Sequence, residues 1–506
     1  MESSPSREDR LVRSASEWLG GPIGRYALLG VSRWSPLTVV FLVTTAMFVV
    51  GILQKVPCHE HAWPRESSFA FSHMCYSDVA YLYRERGFAE GGVAYLDRGD
   101  YPALEYPVLT GVVMQVTAWL TQALGSDDAK ADSVLFYDLT VLLLFGFALA
   151  TGWALSRIHA AESGAHAPGR SAGAQPGRPY DAMFFAAAPT LALAGTINWD
   201  LLAVALTTGA LLAWSRSRTF LAGVLLGLGA AAKFYPLFVL GPLLVLAVRR
   251  KKLAVTFETV GFAVLTWLLV NLPIMVLAPD AWSMFWTFNA QRQGDFGSIW
   301  YVLDLAGHEV SAVNTYSLVL FILACAGIAV LALRAPHPPR LAQLVFLTVA
   351  AFVIVNKVYS PQYVLWLLPL VALARPRWRD WLIWQTAELI YWAAIWLHLA
   401  GALAPAVGGQ PDRFYWLAVG IRIAATGYLC VVVVRDILDP SRDVVRHGDP
   451  ARDPAGGPFD TDDRWPAGID IRPRHMSLEL FGGQDTRPPR TDPVAHRGVA
   501  GREVAS

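Results

Sequence analysis

Apolar residues run in long blocks along most of the chain, broken by short polar clusters. A helix needs about 20 apolar residues to cross the hydrocarbon of a bilayer, and residues 35–53, 134–156, 256–278, 316–334, 381–399 and 414–434 meet that length. Shorter apolar stretches lie at 182–197, 201–215, 219–232, 237–248, 341–355 and 363–374. They pair around polar or proline-containing centres: Asn198-Trp199-Asp200, Lys233-Phe234-Tyr235-Pro236, and Asn356 to Tyr363. Short helices meeting at such elbows suit a membrane only where they line protein or water. The pattern predicts an all-α, polytopic membrane helix bundle of about 12 spans, its short paired helices surrounding a solvated cavity on one side.

Basic residues set the expected orientation. Arg7, Arg10, Arg13, Arg25 and Arg33 precede the first span; later clusters are Arg216/Arg218, Arg249-Arg250-Lys251-Lys252, Arg334/Arg340 and Arg375/Arg377/Arg379. With all of these in the cytoplasm, the three elbows and the loops 54–106, 279–315 and 400–413 fall outside. Residues 107–125 upset the parity. They contain Gln115, Thr117, Thr121 and Gln122 and read as an interfacial or re-entrant helix. Letting them span would move 157–181 outside together with Arg157, Arg170 and Arg178, so the non-spanning solution is preferred. Residues 1–34 read as a cytoplasmic segment, too polar and long for the n-region of a cleaved signal, and the first apolar run as a retained signal anchor. Residues 163–179 read as a flexible loop. Residues 436–506 contain nine Pro and no Lys and are expected to form a disordered cytoplasmic tail, leaving 35–435 as the membrane domain.

Composition narrows the class. Of 506 residues, 54% are hydrophobic and 16% charged, with mean hydropathy +0.39, so lipid is the solvent for much of the chain and a soluble enzyme or disordered protein is excluded as a whole-chain description. A net charge of +1 argues against a nucleic-acid partner bound through its phosphates. Only six residues are Lys, against 35 Arg, and two of the six, Lys233 and Lys357, sit at elbows. A charge there is costly unless paired or wet, which makes both functional-site candidates; the alternative is a snorkelling helix anchor. Cys325 and Cys430 read as small core residues, whereas Cys58 and Cys75 share an outer, oxidising loop and are the candidate disulfide.

That loop carries Cys75-Tyr76-Ser77-Asp78, then Tyr81, Tyr83 and Arg84, and ends in Glu105-Tyr106-Pro107. Residues 79–89 suit a helix lying on the membrane with Ser77 as its N-cap. Asp78 is then either an acidic residue favoured by the helix dipole or a general base at the membrane–water boundary, able to take a proton from a sugar hydroxyl. Residue chemistry leaves both open. Glu105 either pairs with Arg84 or Arg98 or touches a sugar, and Asp200 either contacts an acceptor or caps its elbow. Glu388 and His398 share one face of helix 381–399, with the histidine either a neutral ring hydrogen-bonded in the bundle or a member of a proton relay. His59, His61 and His73 crowd the outer loop without forming a metal-ligand cluster, so no cofactor is expected and a divalent ion has weak support.

The arrangement resembles the GT-C superfamily of polytopic glycosyltransferases, in particular glycosyltransferase family 87, which includes actinobacterial polyprenyl-phosphate-mannose-dependent mannosyltransferases. The residues carrying the likeness are Ser77-Asp78, Glu105-Tyr106-Pro107, Asn198-Trp199-Asp200, Gly223 to Pro236 (GVLLGLGAAAKFYP), Asp295-Phe296-Gly297-Ser298 with Trp300-Tyr301, and Asn356 to Pro369 (NKVYSPQYVLWLLP), covering roughly 35–435. The resemblance implies transfer of a sugar, mannose first, with inversion. The donor would be a polyprenyl-phosphate sugar and the acceptor a lipid or cell-envelope glycan on the outer face of the cell membrane, with Asp78 as base and no nucleotide. A leaving phosphate needs cations or oriented donors. The candidates are Lys357 with Tyr359, Gln362 and Tyr363; Lys233 with Tyr235; and Arg292, whose fork matches phosphate geometry. Arabinofuranosyl transfer is the alternative within the class. A lipid or glycan transporter or flippase, which broken helices also suit, and a structural envelope protein are the alternatives outside it.

Overall fold

The computed structural model describes residues 9–19, 34–64, 67–97, 99–126, 128–158, 177–403, 412–446, 449 and 451–459. The loop expected at 163–179 falls outside these up to 176, as do residues 460–506 of the expected tail and most of the segment before the first span. Within the described residues the chain is helical, with no named strand. Five helices are long and apolar enough to cross a membrane: Pro36–Glu60, Ala129–Ile158, Leu253–Leu277, Val313–Arg334 and Arg413–Leu438. The first begins where Ser35 Oγ accepts from the Thr38 amide at 3.1 Å and Pro36 occupies the first turn, where a missing N–H costs nothing. Val276 (70% exposed) and Leu323 (61%) stand out from the bundle, as lipid-facing side chains do.

Side-chain contacts show which helix ends lie together. His59 meets Asp138 at 3.0 Å, while Val40 lies against Gly152, so Pro36–Glu60 and Ala129–Ile158 are antiparallel neighbours. The chain therefore leaves and rejoins the bundle at the same end between residues 61 and 128, and helix Val108–Leu124 does not carry it across. The polar residues that marked this helix bond to the loop instead: Gln115 Oε1 accepts from the Ala94 amide at 2.6 Å and Gln122 donates to the Phe88 carbonyl at 3.0 Å. Seven further segments among the described residues accompany the five long helices: 179–197, Asp200–Ser215, Thr219–Ala232, 235–250, Leu341–Val355, Pro361–Ala374 and Trp378–Leu399.

The two ends differ in level. At one, the helices finish together among basic residues: Arg216 donates to the Arg157 carbonyl at 2.8 Å and Arg249 to that of Ala335 at 2.6 Å. The helices of 14 to 16 residues rise only about 21–24 Å, against about 37–45 Å for those of 25 to 30. Their other ends, the elbows, therefore stop short and leave a recess. Close packing keeps the short helices in place. A Cβ at Gly223 or Gly227 on Thr219–Ala232 would strike the carbonyls of Thr259 and Ala263 on Leu253–Leu277, the small-residue interface by which membrane helices approach closely.

The disordered tail expected from 436 is corrected over its described residues 436–446, 449 and 451–459. Helix Arg413–Leu438 continues to Leu438, and the segment after it buries Asp443, Val445, Arg446 and Phe459. Phe459 packs edge-on to Trp214 at 5.0 Å, and Trp214 Nε1 donates to the Gly456 carbonyl at 3.0 Å. This stretch is poor in aliphatic residues, but its charges are matched by arginines of the basic end, and that matching lets it pack.

Candidate active site

Asp78 is held from two sides. The last turns of Pro36–Glu60 supply Lys55, whose Nζ donates to the Tyr76 carbonyl at 2.8 Å, and Cys58, disulfide-bonded to Cys75. Trp63 Nε1 adds a bond to the Cys75 carbonyl at 3.3 Å. From the other side comes the elbow before Asn198. Ser77 Oγ donates to the Thr196 carbonyl at 2.7 Å, and the Asp78 amide donates to that of Ile197 at 2.8 Å. Ser77 also caps helix Asp78–Glu85, accepting from the Val79 amide at 3.3 Å; this helix ends four residues sooner than the pattern predicted.

The Asp78 carboxylate opens onto a cavity of about 570 Å³ at the recessed end. Tyr106 donates to its Oδ2 at 3.1 Å, and the Tyr76 hydroxyl is a second donor. Enclosure pushes the carboxyl above the ordinary aspartate value. The two tyrosines and the charge of Lys233 pull against that rise, and Glu105 adds to it. The negative charge of Asp78, then burial, raises the Tyr76 phenol, which keeps that hydroxyl protonated as a donor. No ion pair is formed by Asp78 among the described residues.

Cations line the same cavity. Lys233, at the C-terminal end of Thr219–Ala232, lies 3.3 Å from Asp200 Oδ1 and 5.1 Å above the Tyr106 ring. Asp200 also accepts from Trp366 Nε1 at 2.7 Å, and Trp366 is stacked between Tyr235 (4.7 Å) and Tyr363 (3.9 Å). Arg292 pairs with Asp295, Nε to Oδ2 at 2.7 Å. The Asp295 amide donates to the Lys357 carbonyl at 2.8 Å, and the Tyr359 amide to that of Phe296 at 3.0 Å, knitting the two loops together. Gly297 makes this close approach feasible: its φ is +77° and a Cβ there would strike the Tyr359 carbonyl. Lys357 donates to the Asn289 carbonyl and the Asn314 side chain. Burial and the nearby Arg292 charge hold its ammonium below the usual lysine value. The Arg292 charge thus disfavours the Lys357 ammonium at this wall, a setting that an anion would relieve.

Of the residues singled out in the sequence, Asp78, Glu105, Lys233, Tyr235, Arg292, Lys357, Gln362 and Tyr363 all line this cavity. Tyr359 and Asp200 do not. Tyr359 is fully buried and donates to Glu388 Oε1 at 3.2 Å, beneath Arg422, which pairs with Glu388 at 2.9 Å. Asp200 is taken up by Lys233 and Trp366. Glu105 pairs with Arg86, at 2.9 and 2.8 Å, in place of the expected Arg84, which donates to the carbonyls of Ala62 and Trp63; Arg98 lies outside the described residues. Glu388 and His398 have separate partners, His398 bonding Asp412 at 2.8 Å. Among the described residues no group of His, Cys, Asp and Glu is arranged to hold a metal ion. Sequence reasoning missed Lys55, Arg86, Trp366 and Trp396. A lone lysine two residues past the end of the first apolar run was the available signal for Lys55.

These features define a polytopic helical membrane protein with an enclosed polar site at one end of the bundle, furnished with a carboxylate and with cations. Residues 104–361 match the model of glycosyltransferase family 87, and the chain belongs to that family. It is a membrane glycosyltransferase. No curated protein matches it. The matched stretch contains Glu105, Asn198, Lys233, Arg292 and Lys357 and begins after Asp78, whose role therefore rests on its geometry.

Proposed function

We propose that this glycosyltransferase moves a sugar, mannose in the first instance, from a polyprenyl-phosphate donor to a lipid or glycan acceptor on the extracytoplasmic face, with inversion at the anomeric carbon. The observation that carries the reading is the setting of Asp78: a cavity-wall carboxylate whose hydrogen-bond donors are the hydroxyls of Tyr76 and Tyr106. In the step it would catalyse, Asp78 takes the proton of the acceptor hydroxyl as that oxygen bonds to the anomeric carbon. The bond from that carbon to the phosphate oxygen breaks, and polyprenyl phosphate leaves with the electron pair. Arg292, Lys357 and Lys233 are suited to stabilise the charge gathering on the phosphate. The basic end of the bundle supports a cytoplasmic assignment for that side, which turns the recess outward, toward an outer-leaflet donor.

The test is transfer by purified protein supplied with radiolabelled polyprenyl-phosphate mannose and a glycolipid extract, beside Asp78→Asn. A labelled product of inverted anomeric configuration, absent with the variant, is expected. Turnover by Asp78→Asn at the wild-type rate would overturn the base, and transfer from a nucleotide sugar alone would overturn the donor.

A further inference from the structure

Lys233 stands between two carboxylates. It follows directly on helix Thr219–Ala232, and its Nζ lies 3.3 Å from Asp200 Oδ1 and 5.1 Å above the Tyr106 ring. The hydroxyl of that ring donates to Asp78 Oδ2 at 3.1 Å. One phenol therefore meets both groups, the ammonium with its face and the proposed base with its hydroxyl. Asp200 is buried at the start of helix Asp200–Ser215 and is itself held firmly. Its amide donates to Asn198 Oδ1 at 3.1 Å, and its Oδ1 accepts from Trp366 Nε1 at 2.7 Å, while the Trp366 ring is stacked between Tyr235 and Tyr363. Asp200 Oδ2 has no hydrogen-bond partner among the described residues, so Lys233 is the cation that answers this carboxylate.

The other charged and titratable groups around Asp78 are already engaged. Tyr76 and Tyr106 donate to it. Glu105 opposes its charge but is paired with Arg86, and Glu85 on the same helix is exposed. Lys55 approaches from Pro36–Glu60 and donates to the Tyr76 carbonyl. Tyr363 faces Lys233 from the elbow 356–363. The Lys233 charge is thus the adjustable one. Its effect depends on distance: with no cation in reach an enclosed carboxylate stays protonated, and in a direct ion pair it becomes a weak proton acceptor. A lysine on its flexible stem can reach for either carboxylate.

We infer that Asp200 is a positioning residue for the base: it holds the Lys233 ammonium within electrostatic reach of Asp78 while keeping it from pairing with that carboxylate. The inference rests on the reading of Asp78 as base and adds what sets the strength of that base. Released from Asp200, Lys233 turns toward Asp78, which then ionises more readily and takes a proton less readily.

The experiment uses full-length protein in phosphatidylcholine nanodiscs and two readouts. One is the pH dependence of sugar transfer from polyprenyl-phosphate mannose. The other is the pH titration of the Asp78 carboxylic-acid band, taken by infrared difference between each protein and the same protein carrying Asp78→Asn. Asp200→Asn keeps an acceptor for Trp366; it is expected to move the band midpoint and the acid limb together to lower pH, by about one unit, with the plateau rate about threefold lower. Lys233→Met is expected to move both to higher pH. The double variant Lys233→Met/Asp200→Asn leaves neither charge unpaired, serves if a single variant does not fold, and is expected to titrate above Asp200→Asn. A midpoint that stays or rises in Asp200→Asn overturns the inference. So does a double variant titrating as low as Asp200→Asn, since Asp200 would then act without Lys233, or a raised donor KM at an unmoved midpoint in Lys233→Met, which would assign the ammonium to the phosphate. The two readings fail separately. Midpoints that move as expected under an unmoved acid limb remove the base and leave the positioning, whereas unmoved midpoints with transfer abolished in Asp78→Asn remove the positioning and leave the base.

Discussion

At the basic end of the bundle, Asp181, Asp380, Asp436 and Asp443 each face an arginine, Arg178, Arg375 or Arg340. At the recessed end Asp78 faces phenols. Arg340 is fully engaged: it donates to both Asp443 oxygens at 2.7 and 3.1 Å and to the carbonyls of Leu373 and Ala374 at 2.7 Å. Burial raises the Asp443 carboxyl, but the Arg340 charge and bonds outweigh it and hold it below the ordinary value. Such a carboxylate is a poor proton acceptor and a good fastener. Asp78 accepts from phenols and forms no ion pair among the described residues, though the Lys233 charge reaches it, and its carboxyl is raised. On the proposed reading the same residue type is a fastener where it meets a cation and a proton acceptor where it meets phenols, and the difference lies in what points at it.

The comparison breaks first at Arg340. Arg340→Leu strips the buried Asp443 of its bidentate partner and leaves it Arg446 at 3.5 Å and Gln343 at 3.1 Å, which costs up to about 3–5 kcal/mol. A large fall in melting temperature is expected with kcat per folded molecule unchanged, and most of the loss should be recovered when Asp443→Leu is added. A loss of turnover at unchanged melting temperature would mean that the basic end takes part in catalysis. A smaller effect is expected from Arg292→Ala and from Lys357→Ala. Each should raise the donor KM about tenfold, roughly 1.4 kcal/mol, at unchanged melting temperature, and a KM unchanged in both would remove the phosphate site. The smallest effect is a shift in pH dependence. The Tyr106 hydroxyl stabilises the Asp78 carboxylate, so Tyr106→Phe raises that carboxyl further. Activity requires the ionised form and is lost as pH falls through the pKa. The acid limb of kcat/KM therefore moves to higher pH, by about one unit or less for one hydrogen bond. A limb moving to lower pH would contradict the assignment.

Much of this architecture could be read from the chain. Apolar runs give helices wherever they lie, and the elbows stand out because Asn, Lys, Asp and Pro interrupt those runs at intervals too short for a span. Residues 107–125 carry polar side chains for a physical reason: Gln115 and Gln122 have loop backbone to bond. Individual partners were less legible. Tyr359 and Gln362 share an elbow, yet one points into the Glu388–Arg422 pair and the other into the cavity, because side-chain direction in the irregular backbone of an elbow is set by packing. The pairing of Arg86, rather than Arg84, with Glu105 turns on a two-residue difference at a helix end. The closing stretch, 439–446 with 451–459, was illegible for another reason. Its buried charges are matched by Arg340 and its neighbours, some hundred residues away, and composition alone counts such charges as solvated.

The central claim is that Asp78 is the base. It is tested most directly by the single-turnover rate of sugar transfer from polyprenyl-phosphate mannose by Asp78→Asn, in protein whose melting temperature equals that of the wild type. The account predicts a fall of about 10²–10⁴-fold with donor affinity unchanged; transfer within a few-fold of the wild-type rate would contradict it.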